Sequence, residues 1–246
     1  MKQIIVLLFA AVIAFSCTEK QNQNPQKDSE EVTMLKEKIA KFVPVEIKYD
    51  ESLLNDREKI VLEKLYRASK IIDEIFLEQV YSKNTQIKSE LQSEINNNSF
   101  PDRVKKTALQ LELFNIMAGP FDRLEDNAPF IGTDKKPLGA NFYPEDMTKE
   151  EFEKFVKENP KLEKSFTSEF TVIRRDNGKL VAIPYSEFYK DKLTTASNLL
   201  KEAAEYSDNP SLKKYLLSRA DAFLNNDYYQ SDMDWMDLKD NKIEVV

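Results

Sequence analysis

Apolar residues recur at helical spacing along most of this chain. The longest such stretch follows Asn55: Val61, Leu65, Ala68, Ile72, Ile75 and Val80 are separated by steps of three, four and five, and Ile60, Phe76 and Leu77 widen the stripe. Asn55 and Glu58 have the spacing of a capping box, which places the start of this helix. Upstream, residues 30–42 carry the pattern of a short first helix. Pro44 interrupts it, and residues 45–49 read as briefly extended. Downstream, Asn84 or Thr85 opens another helical stretch that ends near Asn96-Asn97-Asn98. Ser99 and Pro101 mark the next start, with proline in the first turn. There Val104, Ala108, Leu111, Phe114 and Ala118 share one face, and Gly119-Pro120 stops the helix.

The period then disappears. Residues 121–144 have no regular pattern and contain Pro129, Pro137 and Pro144. Loops this long are usually functional or disordered. The apolar content here (Phe121, Leu124, Phe130, Ile131, Leu138, Phe142, Tyr143) predicts a loop that packs down. Thr148 and Glu151 repeat the capping-box spacing ahead of Phe152, Phe155 and Val156. Phe170, Val172 and Ile173, then Asp176-Asn177-Gly178, then Leu180, Val181 and Ile183, give a β-hairpin signal. Ser186 is placed to cap a long helix bearing Tyr189, Leu193, Ala196, Leu200 and Ala203. Asn209-Pro210 starts its partner, with Leu212, Leu216, Ala220 and Phe223. Short or turn-rich connections at Gly119 and Asn209 predict antiparallel pairing. The fold class expected is mainly α, with antiparallel helices and one small β-hairpin.

The first residues belong to a different pattern. Lys2 precedes an unbroken apolar run over residues 4–13, too short to span a bilayer, which takes about 20 apolar residues. It fits the core of a secretory signal peptide over residues 1–16. Ala14, Phe15 and Ser16 then precede Cys17, and small residues three before and one before a cysteine resemble the lipobox of bacterial lipoproteins. That resemblance implies cleavage before Cys17, a diacylglyceryl group on its sulfur and acylation of the new amine, giving two or more chains and stable anchoring. Cys17 is the only cysteine, so no internal disulfide can form. Residues 17–29 are polar and read as a tether between a membrane and a folded body of residues 30–246. The expected address is the bacterial cell envelope, at the outer membrane, with the membrane itself as a partner through the lipid.

Composition removes several chemistries. Four glycines argue against a turn-dense all-β fold, and no phosphate-cradling glycine motif is present. A net charge of −7 argues against nucleic acid as a partner. The chain contains no histidine, which excludes a Ser-His-Asp or Cys-His site and HExxH zinc chemistry.

The remaining constellations are weaker. Asp227, Asp232, Asp234, Asp237 and Asp240 form an acidic run, but from Asp232 the fifth and sixth positions of a calcium loop fall on Met236 and Asp237. A solvated acidic face is the better account. Ser211 and Lys214 have SxxK spacing, explained by the frequency of serine in first helical turns. Tyr228, Tyr229 and Trp235 could stack a ligand but are expected to complete a core. Asp122 and Arg123 are expected to make a local ion pair of little value. The most unusual stretch is Gly139-Ala140-Asn141-Phe142-Tyr143-Pro144. Gly139 allows a turn there, Asn141 offers donors and an acceptor, and Tyr143 offers an aromatic face with a hydroxyl.

Tyr49-Asp50-Glu51-Ser52-Leu53-Leu54, Gly119-Pro120-Phe121-Asp122-Arg123-Leu124, Pro129-Phe130-Ile131-Gly132, residues 139–144 and Trp235-Met236-Asp237-Leu238-Lys239 together resemble the N-terminal half of bacterial relatives of dipeptidyl-peptidase III. The resemblance covers roughly residues 45–246. It implies a two-lobed zinc peptidase whose metal is held by two histidines and a glutamate in the second half, where a metal-bound water attacks the peptide bond with a nearby glutamate as base. None of those positions matches this chain. No catalytic, cofactor or metal residue carries over, and zinc is expected only in a C-terminal half that is not present. The part that carries over would form one wall of the cleft, with Asn141 and Tyr143 as its candidate peptide contacts.

Two functions follow as expectations. One is the noncatalytic N-terminal portion of such a peptidase, anchored as a lipoprotein and inactive alone, with a separate C-terminal half as partner. The other is a complete, noncatalytic envelope lipoprotein that binds a peptide or a partner protein. Residues 243–246 read as the beginning of a strand, which favours a truncated piece. Translating the DNA beyond Val246 in all frames separates the two. A helix with paired His and Glu is expected under the first, and a stop followed by unrelated sequence would count against it.

Overall fold

The computed structural model describes residues 28–245; nothing is described of the side chain of Glu51. The expected signal segment, Cys17, most of the expected tether and Val246 lie outside the described residues. The first helix, α1 (Glu30–Ile39), is capped by Ser29, whose side chain accepts from the Val32 amide. Glu30 and Glu31 occupy its first turn and Lys36 and Lys38 its last, so charge opposes the helix dipole at both ends. Next, α2 (Asp56–Val80) carries the full capping box of Asn55 and Glu58. Its deepest residues, Val61, Ala68 and Ile75, recur every seven, while Ile72 and Phe76 remain exposed at its edge. After it come α3 (Asn84–Asn97) and α4 (Pro101–Met117).

The predicted face of α4 is rotated. Ala108 is exposed, and Thr107, Leu113, Phe114 and Met117 are buried. The reason is that α4 packs between α1 and α3 and so buries a broader sector than one stripe. It ends on Ala118, which takes the left-handed conformation at φ 55°, one residue before the glycine expected to do so. The chain then enters a strand instead of an antiparallel partner helix: β1 (Phe121–Asp122) pairs with β2 (Ala128–Pro129). The long loop therefore packs down in part. Phe121 is buried and Phe130 reaches the α1–α4 core, but Leu124 and Leu138 face solvent.

Beyond it, α5 (Lys149–Glu158) is capped by Thr148, which accepts from the Glu151 amide. The Glu151 carboxylate turns away to Arg175, so only one of the two bonds of a capping box is made. A single turn, α6 (Glu163–Phe166), leads to the predicted hairpin, β3 (Thr171–Asp176) with β4 (Lys179–Pro184). Asp176 lies opposite Lys179, and Asn177 and Gly178 both take positive φ, the two-residue turn that suits strand twist. The long helix after it is broken. A short α7 (Tyr185–Phe188) precedes α8 (Lys190–Tyr206), and Ser186 caps neither. Its amide and hydroxyl instead bond the side chain of Asn226. Asn209 caps α9 (Pro210–Asn225), and α10 (Tyr229–Met236) follows.

Helices α2, α8 and α9 form the main core. Arg57 bonds Asp208, Lys64 pairs with Glu202 and Lys192 pairs with Glu78, so α2 and α8 run antiparallel. At the α8–α9 contact Ala203, Ala204, Ala220 and Ser197 have no exposed surface, and the Ser197 hydroxyl donates to Ala220 O at 2.7 Å. Small side chains here let the two backbones approach. Ile243 is also buried in this core and Val245 packs against it. The expected strand at 243–246 is absent among the described residues, because these side chains find a seat on helices.

The acidic C-terminal run is also more structured than a solvated face. Asp234 is buried and pairs with Lys214 at 2.9 Å, and Asp232 meets Arg219 at 2.6 Å. Ser211 bonds Asn209 and Lys239 O, apart from that pair, as expected if the SxxK spacing is fortuitous. Tyr228 stacks on Phe170 at 4.9 Å, while Tyr229 is exposed and Trp235 donates to Val245 O at 2.7 Å.

Asp122 does not pair with Arg123. Its carboxylate is buried and meets Lys38 of α1 at 2.6 Å, and Lys38 also meets Glu125 at 2.5 Å. Burial alone would raise the Asp122 carboxyl, but hydrogen bonds from Lys38 and from the Leu124 amide hold it below 3.8. Burial likewise disfavours the Lys38 ammonium, and Asp122 and Glu125 reverse that, leaving it above 10.5. A depressed acid contributes stability above its unfolded value and loses it as pH falls through the folded one. Replacing Asp122 with Asn is expected to cost about 3 kcal/mol at pH 7, near the low end for a broken buried pair because Glu125 remains. Urea melts should show the deficit shrinking as pH drops below 3.8; a deficit constant with pH would disprove the account.

Candidate functional site

An α-helix leaves its last carbonyls without partners in the helix. At the end of α2 they are taken by Tyr81 and Asn84, just beyond the helix, and by Asn141 of a distant loop. The Leu77 carbonyl accepts from the Tyr81 amide at 3.3 Å and from Asn84 Nδ2 at 2.9 Å. The Glu78 carbonyl accepts from Asn141 Nδ2 at 2.8 Å, and the Gln79 carbonyl from the Asn141 amide at 2.9 Å. Asn84 is fully buried and donates also to Ala118 O at 3.1 Å. This brings the 118–119 backbone against it: a Cβ on Gly119 would lie 3.1 Å from Asn84 Oδ1, and Gly119 has φ +150°. Glycine is needed there for close approach as well as for conformation.

The acceptors of Asn141 are also occupied. Arg174 of β3 donates to Asn141 O at 2.9 Å and to Asn141 Oδ1 at 3.1 Å, and to its own neighbour Ile173 O at 2.8 Å. Its guanidinium lies 4.6 Å from the centre of the Phe188 ring. The Ile173 amide donates to Phe142 O at 2.8 Å, so loop and hairpin are stitched side by side. Burial lowers the Arg174 guanidinium below its ordinary value. Next to it, burial pushes the Tyr189 hydroxyl up to about 12, helped by Tyr185; it lies near Gln79 with no partner at hydrogen-bonding geometry. Lys192 of α8 closes the cluster through ion pairs with Glu78 and, at 3.7 Å, Glu74.

Tyr143 does different work. Its ring meets Phe152 edge-on at 5.5 Å, in an aromatic group with Phe155 and Phe166. A Cβ on Gly139 would sit 2.8 Å from Tyr143 Cδ2. Gly139 is therefore small to admit that ring, and the left-handed turn expected of it falls on Ala140 at φ 49°. Nearby, Arg175 faces out and bridges Asp146 and Glu151, which draw its guanidinium above its ordinary value.

The two candidate peptide contacts thus lie in one loop with separate tasks. Asn141 has its side-chain groups engaged in joining α2, the loop and β3. Tyr143 packs its ring against Phe152 and Gly139 and is half-buried. Sequence reasoning missed Asn84 and Arg174. A buried asparagine just past a helix end, and an arginine in an apolar strand, were the available signals. As to metal donors, no group of three His, Cys, Asp or Glu side chains is assembled among the described residues, and the sequence has no histidine.

No family model matches the chain. Two solved structures do. Dipeptidyl-peptidase III from Caldithrix abyssi is 62% identical, with a TM-score of 0.80 over 86% of this chain and 39% of that one. Dipeptidyl-peptidase III from Corallococcus sp. strain EGB is 38% identical, with a TM-score of 0.78 over 85% of this chain and 38% of that one. This chain is dipeptidyl-peptidase III-like. A plant protein, Nudix hydrolase 3 of Arabidopsis thaliana, is 31% identical over 86% of this chain and 33% of its own length. The dipeptidyl-peptidase III-like chain therefore spans only a third to two-fifths of the proteins it matches. Its mainly helical fold with two small antiparallel hairpins agrees with these neighbours and with the fold class read from the sequence.

Two substitutions separate the tasks of the loop. Asn141→Ala leaves the Glu78 carbonyl and Arg174 short of partners and is expected to cost about 1–3 kcal/mol. Tyr143→Phe removes only a hydroxyl and is expected to stay within about 0.5 kcal/mol of wild type. Chemical denaturation measures both, and equal losses would contradict the assignment.

Proposed function

We propose that this chain forms a noncatalytic wall of the cleft in a dipeptidyl-peptidase III-like peptidase, held at the bacterial envelope by a lipid on Cys17. The observation that carries the reading is 62% identity to a dipeptidyl-peptidase III over 86% of this chain, set against only 39% of that protein. The donors available here do not fit a zinc site, since histidine is absent and no three suitable side chains converge among the described residues. The metal and its chemistry would come from residues outside this chain. What these residues supply is a fixed surface: the end of α2, the 139–143 loop and β3 are tied into one unit. A peptide lying along that unit would meet the half-buried Tyr143 in preference to Asn141, whose polar groups are already occupied. No helix of the described residues is long and apolar enough to cross a membrane, so in this reading the attachment rests on Cys17.

Purified chain 17–246 is expected not to release dipeptides from peptide substrates with added zinc. Zinc-dependent turnover that survives repurification would overturn the noncatalytic assignment. The anchor is tested separately. Cells fed labelled palmitate should label the wild-type protein and pellet it with membranes. Cys17→Ala should remain unlabelled; label persisting in that variant would place the lipid on another residue, and an unlabelled wild type would remove the anchor.

A further inference from the structure

Residues 43–49 alternate strictly: Val43, Val45, Ile47 and Tyr49 are apolar, with Pro44, Glu46 and Lys48 between them. In a strand the four apolar side chains would share one face and the charged pair the other. Yet this stretch, between α1 and the turn at 51–53, belongs to neither of the two hairpins. Its apolar face is bare, with Val43 82%, Val45 79%, Ile47 90% and Tyr49 63% exposed. Leaving four such side chains in solvent forfeits the burial that a half-buried strand gains. Tyr49 continues the exposed row into a cleft of about 470 Å³ lined by Leu54, Leu62 and Tyr66, with Lys59 and Glu63 at its rim. The strand pattern and an apolar seat are thus continuous.

We propose that residues 43–49 are an edge strand that adds to a β-sheet in the part of a dipeptidyl-peptidase III-like fold that this chain does not carry, with the Tyr49–Leu54–Leu62–Tyr66 cleft covered by the same partner. The inference rests on the functional reading above. It is favoured by length, since 61% of the Caldithrix chain lies outside the match, and neither two-stranded sheet among the described residues takes up this stretch. Pro44, without an N–H, is tolerated on an edge strand, where one row of backbone groups has no partner within the sheet. Exposed strand edges recruit backbone hydrogen bonds from another segment, and alternate side chains give register.

The test co-expresses this chain, lacking its signal and lipid, with the unmatched portion of the Caldithrix abyssi protein as a separate chain. Wild type should co-purify with it, and hydrogen exchange should show the amides of residues 45–49 protected only in the complex. Val45→Lys combined with Ile47→Lys should reduce recovery by at least about tenfold while the isolated variant melts as wild type does, because both positions are solvent-exposed. Failure of the wild type to co-purify would sink the functional reading together with this one. Co-purification with residues 45–49 unprotected and the double variant unaffected would sink the docking inference alone. A dimer of this chain alone in sedimentation, abolished by Ile47→Lys, would give the strand to a second copy and also overturn it.

Discussion

The architecture turns on the last turn of α2. A helix of 25 residues ends with carbonyls that need donors, and the last turn of this one is half-buried against other segments, which limits what water can supply. The donors come from residue 84, in the next helix, and residue 141, more than sixty residues away along the chain. Satisfying them fixes where α3 departs, how closely Gly119 passes and where the 139–143 loop lies. Arg174 then extends the same network into the hairpin. One terminus therefore positions three segments that share no sequence periodicity.

Around that junction, contacts of two physical kinds set the remaining geometry. The α2–α8–α9 core is close-packed through alanines and a serine, so it is intolerant of added volume and defines helix spacing. The α1–α4 side has a smaller core of Leu35, Leu113 and Met117, and beside it the Lys38–Asp122 ion pair. An ion pair taken out of water adds little net stability, but it is unforgiving of displacement. It pins the 119–124 turn to α1, and that turn is the same one Asn84 grips from the other side.

The sequence was legible where structure is local. Asn55 with Glu58, Asn177-Gly178 and Asn209-Pro210 place their elements because a cap or a two-residue turn involves only near neighbours. It was illegible where partners are distant. Asp122 sits beside Arg123 in sequence and bonds Lys38, 84 residues away. The α4 face was misread because two neighbours, not one, cover it. Gly119 and Gly139 were read as turns and turned out to be gaps for Asn84 and Tyr143. In the site, the 139–144 loop stood out as unusual, and Asn141 was nominated as a peptide contact from its chemistry alone. A single sequence cannot show that its donors and its acceptor are already in use.

These distant partners bear on what the family resemblance means. The stretches that carry it coincide with joints of the fold. Gly119 and Asp122 contact Asn84 and Lys38, Asn141 takes the end of α2, and Lys239 O receives Asn209 and Ser211 at the start of α9. Irregular segments of this kind resist substitution because each residue meets a specific, distant partner, whereas a helical face tolerates many apolar side chains. Motifs can thus mark kinship in a protein segment without marking chemistry. In this chain Asn84, Asn141, Arg174 and Asp122 hold distant segments together, while the apolar row from Val43 to Tyr49 is left bare. Side chains used this way fix shape and position, because moving any one of them leaves a buried donor, acceptor or charge without its partner.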